Sequence, residues 1–460
     1  MAVSRRLAWG VLWGAACALA CAHAPTAPEG RGPSGAPDAA GGGGARREAT
    51  SAPPAAAPPV PSATSAAALD ATGSPAQAGI PTPAAGSTAI RGPSAAETVP
   101  EMVLAAVGDV MLGSAFPDES GLAPDDGASL LAEVTPVLSG ADVAFGNLEG
   151  PLADGGTSEK CARSRPGRCY AFRSPTRYAR HLAAAGFRVL GLANNHAGDF
   201  GAEGRQSTRR ALDAAGIAHA GEPGDVARLR VKGRRLALVA FATSDATLDL
   251  RDLEGARRVV AGLAAESDLV VVAFHGGAEG AAYQHVAPGA EEFLGEDRGD
   301  LRAFAHAVVD AGAALVLGSG PHVVRGMEVY RGRLIAYALG NFATYGSFNL
   351  SGPNGLSLVL EARLGPDGAF RGGRVHPVRQ DKPGGPRLDP QGQVIPLLRS
   401  LSEDDFGESA VRVDADGTLR PPAHSSKPSA ESDRSGLPSS AAAMRAASKR
   451  PKAANSSPAR

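Results

Sequence analysis

The segment VLAAVGDVMLG, Val103 to Gly113, begins as five apolar residues and breaks at Gly108 and Asp109. A short run of this kind, rich in Val and Leu and closed by glycine, reads as a buried strand, and here a carboxylate stands at its carboxyl end. Six further runs repeat the pattern: Asp142–Phe145, Arg188–Ala193, Arg235–Phe241, Leu269–Phe274, Ala313–Leu317 and Arg333–Leu339. Between several of them, Ser129–Leu138, Thr176–Ala185, Arg205–Ala215, Leu253–Ala265 and Asp300–Ala311 place apolar residues at spacings of three and four, as helices with one buried face do. Strands alternating with helices favour right-handed crossovers, hence an α/β fold with a largely parallel or mixed sheet covered by helices. After Leu334 the pattern changes. Ser357–Leu364 and Gly373–Val378 read as strands with no helix between them, an antiparallel extension.

Outside this region the composition shifts. Residues 1–21 carry Arg5 and Arg6 ahead of an apolar run from Leu7 to Leu19, a secretory signal too short for a comfortable membrane span. Ala18, Leu19 and Ala20 before Cys21 resemble a lipoprotein box, with Cys17 as a competing lipidation site and an ordinary cleavage near His23 as the alternative. Residues 22–100, built from Ala, Pro, Gly, Ser and Thr without an aromatic residue, read as a disordered linker that tethers the folded part. The folded domain is expected over 101–400, roughly 300 residues and enough for one large core. Residues 401–460 are expected to be a mostly disordered tail, whose last part from Ser425 holds seven Lys/Arg against two acids.

Lys and Arg number 46 and Asp and Glu 47, for a net charge of −1, which argues against a nucleic-acid partner held by overall positive charge. Four cysteines are too few for a disulfide scaffold or a multi-cysteine zinc module. Gly and Pro, at 59 and 36, exceed what one uniform globular body carries.

The chemistry gathers at strand ends. Asp109 closes the first run, Asn147 and Glu149 the second, and Asn194, Asn195 and His196 the third. His275 closes another, followed by Ser319 and His322, and then Asn341. Ligands of open α/β sheets bind beyond the carboxyl ends of strands, so these residues are expected to meet in space. Each alone has an ordinary reading as a cap, an Asx turn or a core histidine. Together, carboxylates and imidazoles buried beside a core need partners or a cation, and this N/O donor set suits Mn, Fe or Zn, as one or two ions. The remaining histidines sit in biased segments or helical patterns, or lack the glycine-rich context, with His285 a weak exception.

In order, AVGDVMLG (106–113), FGNLEGPL (145–152), GLANNHAGDFG (191–201), VAFHGGAE (272–279) and GSGPHVVRGMEVYRGRLIAYALGNF (318–342) closely resemble the CapA family of bacterial capsule or poly-γ-glutamate synthesis proteins, whose domain is similar to calcineurin-like metallophosphoesterases. The resemblance covers Val103 to Arg379. It implies a metallophosphoesterase-like sandwich of two mixed sheets flanked by helices, and a cell-envelope role in making, exporting or attaching an anionic polymer. The partners it implies are that polymer, membrane-bound synthesis proteins, and the membrane through a lipid anchor. Metal-facing residues would be Asp109, Glu149, Asn195, His275 and His322, with His196 as general acid or base and Asn147, Asn194 and Asn341 behind them. The phosphoesterase pattern also has imidazoles where Met111 and Gly320 stand, so the set supports one well-held cation and a weaker second position. Asp199 and Gly201 read as structural residues of the loop.

A basic loop follows Glu149, with Lys160, Arg163, Arg165, Arg168 and Arg173 around Cys161 and Cys169. In an exported protein these cysteines are expected to form a disulfide, and the arginines either guide a polyanion or merely solvate the loop.

Overall fold

A computed structural model describes residues 99–160 and 170–423. The expected leader, linker and lipidation sites, the cysteine pair, and Arg163, Arg165 and Arg168 all lie outside the described residues. Along the chain run β1 (Met102–Met111), α1 (Thr135–Ser139), β2 (Val143–Leu148), α2 (Ala179–Ala184), β3 (Phe187–Gly191), α3 (Gly201–Ala214) and β4 (Ala218–Ala220). Then come β5 (Ala227–Val231), β6 (Arg234–Ala242), α4 (Leu253–Glu266), β7 (Leu269–His275), α5 (Leu301–Asp310), β8 (Leu315–Ser319), β9 (Met327–Tyr330), β10 (Arg333–Ala336) and β11 (Asn341–Thr344). The last elements are β12 (Leu356–Leu364), β13 (Phe370–Arg379), α6 (Val394–Phe406), β14 (Arg412–Val413) and β15 (Thr418–Arg420).

Two sheets form. The first has the order β14-β15-β13-β12-β1-β2-β3-β4, with β11 also beside β1. Its β1, β2, β3 and β4 are parallel, whereas β12 and β13 continue it antiparallel. The second has the order β9-β10-β8-β7-β6-β5, parallel at its centre and antiparallel at both edges. Alternation along each strand sorts the side chains. Leu104, Val143, Leu238, Val271, Leu317 and Leu360 share the core between the sheets, and Ala105, Leu138, Leu182, Leu190 and Leu212 pack the helices onto the outer face of the first. A third cluster seats α4 and α5 on the second sheet through Val260, Phe304 and Val308. The expected architecture of two mixed sheets flanked by helices is what the chain adopts.

Basic side chains seal the edge where the parallel strands begin. Lys232 reaches the Glu101 carbonyl at 3.0 Å, Arg234 the Pro366 carbonyl at 2.6 Å and Arg333 the Asp367 carbonyl at 2.6 Å. Both sheets therefore point their carboxyl ends the same way.

Two expectations differ from the structure. The helix expected over Ser129–Leu138 is regular only from Thr135, because Pro136 has no N–H and its ring would meet the carbonyl four residues back, so residues 129–134 turn instead. The fold also does not stop at Ser400. Helix α6 runs through that position with Leu398, Leu401 and Phe406 buried, and Ser402 Oγ accepts from Met327 N at 2.9 Å. Beyond it β15 pairs with β13, so residues 401–423 belong to the fold rather than to a disordered tail. A chain ending at Ser400 loses Leu401, Phe406, Val411, Val413 and Leu419 from the core. At about 1.5–3 kcal/mol per large buried side chain, that loss rivals the 5–15 kcal/mol stability typical of a domain. The shortened chain is therefore expected to be insoluble or without a cooperative melt, whereas one ending at Ala423 melts cooperatively.

Among the described residues no helix is long and apolar enough to cross a membrane.

Candidate metal centre

The carboxyl ends of β1, β2, β7 and β8 and the loops after β3 and β10 converge on one polar cluster. Gly108 makes the approach of β1 to the β11 loop feasible, because a Cβ there would run into the Gly340 carbonyl, and Asp109 N donates to that same oxygen at 3.0 Å. Asp109 is fully buried, and its two oxygens are separately engaged. Oδ1 accepts from Asn147 Nδ2 at 2.8 Å, and Oδ2 lies 2.9 Å from His322 Nδ1. Asn194 Nδ2 donates to Asn147 Oδ1 at 3.2 Å and to the Leu148 carbonyl at 2.8 Å, while its own Oδ1 accepts from His196 N at 3.1 Å. Asn147 and Asn194 thus orient their charged neighbours. Asn341 does the same through its backbone contacts, donating from Nδ2 to the His322 and Asn354 carbonyls at 3.2 Å each.

Glu149 is fully buried and neither carboxylate oxygen has a hydrogen-bond partner. His322 Nε2 stands 3.6 Å from Glu149 Oε1, and His196 Nε2 stands 3.9 Å from the same atom. Asp109, Glu149 and His322 each offer an atom within 4.8 Å of the others. His275 joins through Asn147, whose Nδ2 donates to Asp109 and lies 3.4 Å from His275 Nδ1; Ser319 Oγ lies 3.2 Å from the same nitrogen and donates its own proton to the Phe274 carbonyl at 3.1 Å. Both contacts fall on Nδ1, which leaves Nε2 as the unpartnered nitrogen of the ring. That atom, like Asn195 Oδ1, is buried without a partner.

Protonation follows the same geometry. Burial pushes Glu149 well above the usual carboxylate range, and Asp109 beside it adds to the effect. Burial works against a charged His322, but Glu149 and Asp109 outweigh it and raise that imidazole to about 10. For Asp109 burial is outweighed in turn by the His322 hydrogen bond and charge, which hold it below its ordinary value. Burial drives His275 down to about 3, so it is neutral at physiological pH. Burial also lowers His196, against the pull of Asp199.

Both Glu149 oxygens are buried without donors, which is costly unless a cation faces them, and His275 Nε2, Asn195 Oδ1 and Asn341 Oδ1 are further buried polar atoms without partners. The donor set is carboxylate, imidazole and amide with no thiolate, so it fits a divalent Mn, Fe or Zn ion.

Three partners of the site were not legible from spacing alone. Asp199, read as a loop residue, holds His196 Nδ1 with its Oδ2 at 2.7 Å and also accepts from Phe172 N at 2.8 Å. Lys160 leaves the basic loop to bond Asp199 Oδ1 at 2.5 Å and the Asn195 carbonyl at 3.0 Å. Phe172 stacks on His196 with ring centroids 4.2 Å apart. The interval of three between His196 and Asp199 was the available signal, and it also suits a turn. His285 lies apart from the cluster, paired with Asp405 at 2.8 Å.

The two positions without imidazoles differ in kind. Met111 is buried against Phe172, Phe348 and Leu350, an apolar wall beside the cluster. Gly320 has φ +115°, and a Cβ there would lie 2.6 Å from Gly276 O and 2.8 Å from Gly276 N. Restoring histidine by Gly320→His is therefore expected to cost about 1–3 kcal/mol in backbone strain alone. A lower thermal midpoint with no gain in metal binding is the expected result.

A family described as "Bacterial capsule synthesis protein PGA_cap" matches residues 103–345. An uncharacterised protein of Sinorhizobium fredii is 29% identical over 322 residues, covering 55% of this chain and 68% of that protein. The PGA biosynthesis protein CapA of Bacillus subtilis is 28% identical over 260 residues, covering 51% of this chain and 61% of its own length. The Capsule biosynthesis protein CapA of Bacillus anthracis is 28% identical over 265 residues, covering 53% of this chain and 59% of that protein, so the chain spans less than two thirds of both CapA proteins. Among solved structures, a putative 5′-nucleotidase from Staphylococcus aureus aligns at 12% identity with a TM-score of 0.38, over 66% of this chain and 58% of that one. The match to the family extends from β1 to the end of β11, more than half of the chain and every strand end of the cluster, and the chain belongs to the bacterial capsule synthesis protein family PGA_cap.

Proposed function

We propose that this protein acts at the cell envelope in the biosynthesis of an anionic capsule polymer such as poly-γ-glutamate, through a divalent-cation site formed by Asp109, Glu149, Asn195, His275 and His322. The observation that carries the reading is the buried Glu149 carboxylate, unpartnered on both oxygens and faced by two imidazoles. The names of the Bacillus relatives support the polymer class. Bound there, a divalent ion supplies Lewis acidity toward a phosphoryl or acyl oxygen. The chain's own residues supply the rest. His196, with Nδ1 fixed on Asp199, presents Nε2 to the site as the proton donor or acceptor. Phe172, Phe348 and Met111 exclude water from one flank. Export and a lipid anchor at Cys21 or Cys17 would place this chemistry at the membrane, with membrane-bound synthesis proteins as partners. A Cys161–Cys169 disulfide and the arginines at 163, 165 and 168 belong to the same proposal.

A second reading is favoured by the missing imidazoles at Met111 and Gly320: a polymer-binding assembly factor with a site too depleted for turnover. Complementation separates the two. In a strain lacking the gene, cell-associated polymer is measured as glutamate after acid hydrolysis. Wild type should restore it and Glu149→Gln should not. Full restoration by Glu149→Gln supports the assembly factor, and unchanged polymer on deletion overturns the proposal.

A further inference from the structure

Arg325 is the bulkiest of the fully buried side chains among the described residues. Its guanidinium forms a two-pronged pair with Glu291, Nη1 to Oε1 at 2.7 Å and Nη2 to Oε2 at 2.8 Å. Nη2 also donates to the Ala278 carbonyl at 3.1 Å, and Ala278 N donates back to Glu291 Oε2 at 2.8 Å. Taking such a pair out of water costs several kcal/mol per ion, and apolar residues of similar volume often serve stability as well or better. Stability therefore does not account for charges at this position.

Their placement does. Ala278 follows His275 by three residues, and Arg325 follows His322 by three. The pair ties together the two turns that carry these imidazoles, alongside Gly276 N to Ser319 O at 3.0 Å and Gly280 N to Pro321 O at 2.8 Å. Gly277, at φ +88°, crosses the pair so closely that a Cβ would lie 3.1 Å from Arg325 Nη1 and 3.3 Å from Glu291 Oε2. His322 itself is left-handed, at φ 58°, a conformation a non-glycine residue keeps only when its surroundings over-determine it. One fixed point is its carbonyl, held by Asn341 and Asn354 at 3.2 and 3.4 Å. The other is Arg325, whose backbone N bonds Ala338 O at 3.1 Å while its side chain is locked to Glu291.

We infer that Glu291 and Arg325 are positioning residues of the cation site: they clamp the His322 turn against the His275 turn, which sets the His322 ring beside Asp109 and Glu149 and holds the His275 ring with its centroid 6.2 Å from that of His322. The inference rests on the reading of that cluster as a divalent-cation site. Neither residue touches the cluster's own ligand atoms, so the pair acts through the two backbones.

The test uses the full chain, as wild type, Glu291→Gln, the double variant Glu291→Met with Arg325→Met, and His322→Ala as control. Mn²⁺ and Zn²⁺ affinities are measured by calorimetry, metal-free thermal midpoints by melting, and the His322 ring by ¹⁵N-histidine spectra, which report its Nδ1 hydrogen bond to Asp109. The double variant is expected to keep or raise the midpoint, bind metal about 10- to 100-fold more weakly, and lose the hydrogen-bonded His322 signal. Unchanged affinity and an unchanged His322 signal in a folded double variant overturn the inference. Should that variant fail to fold, Glu291→Gln decides by the same two readouts. Should wild type bind neither ion, the cation reading fails, and the His322 signal alone decides whether the clamp positions the ring.

Discussion

Replacing Glu149 by glutamine is expected to abolish metal binding, so that added metal no longer raises the thermal midpoint. In the metal-free protein two effects oppose each other: the cost of the buried carboxylate is relieved, and its attraction for His322 is lost. Glu149 is fully buried, its oxygens have no donors, and burial together with Asp109 disfavours its charge. An amide of the same shape removes that charge and with it a ligand atom a divalent ion needs. A ligand that binds only the folded state stabilises it by about 2.7 kcal/mol at a hundred times its dissociation constant. Melts of wild type with and without Mn²⁺ or Zn²⁺ should therefore separate by several degrees, and those of Glu149→Gln should coincide. A metal-induced shift of equal size in the variant would contradict the assignment.

The second large effect is a stability profile with opposing slopes. His322 is raised from 6.5 to about 10, so its contribution is complete below pH 6.5 and is lost as pH climbs toward 10. His275 is depressed from 6.5 to about 3, so its contribution is present above pH 6.5 and is lost as pH falls toward 3. Glu149, raised above 4.5, takes up a proton more readily when folded and offsets part of the acid loss. Each proton bound differently by the two states contributes a slope of up to about 1.4 kcal/mol per pH unit. Denaturant melts of the metal-free protein should show stability declining on the alkaline side, and His322→Ala should flatten that limb. Metal ligands must be deprotonated, so binding at pH 7.5 is expected to release about one proton, from His322. Calorimetry in buffers of different ionisation heat reads that proton directly. An alkaline limb unaffected by His322→Ala, with no proton released, would show that His322 is not the group involved.

The strands are legible because each is a short apolar run closed by glycine, and the polar residues just beyond these runs include Asp109, Glu149 and His322, which the fold brings within 4.8 Å of one another. Local pattern was less reliable where two rules compete. Ser129–Leu138 has helical spacing, but Pro136 removes a hydrogen bond that spacing alone does not register. Helix α6 carries Val394, Ile395, Leu398 and Leu401 at helical intervals, yet Pro383, Pro386 and Pro390 before it and Pro396 in its first turn give that stretch the pattern of a loop. The pairings behind the site were the least legible. Glu291 and Arg325 are 34 residues apart, and nothing local to either says that both are buried. The φ of +115° at Gly320 likewise follows from how closely the Gly276 backbone approaches, not from the residues around it in sequence.

The most direct measurement is the metal content of the purified full chain, by elemental mass spectrometry after loading with Mn, Fe or Zn and removal of free ion. Wild type should retain close to one ion per chain, with Glu149→Gln and His322→Ala near zero. A wild-type chain that retains none of the three metals, or variants that retain as much as wild type, would contradict a cation site at Asp109, Glu149 and His322.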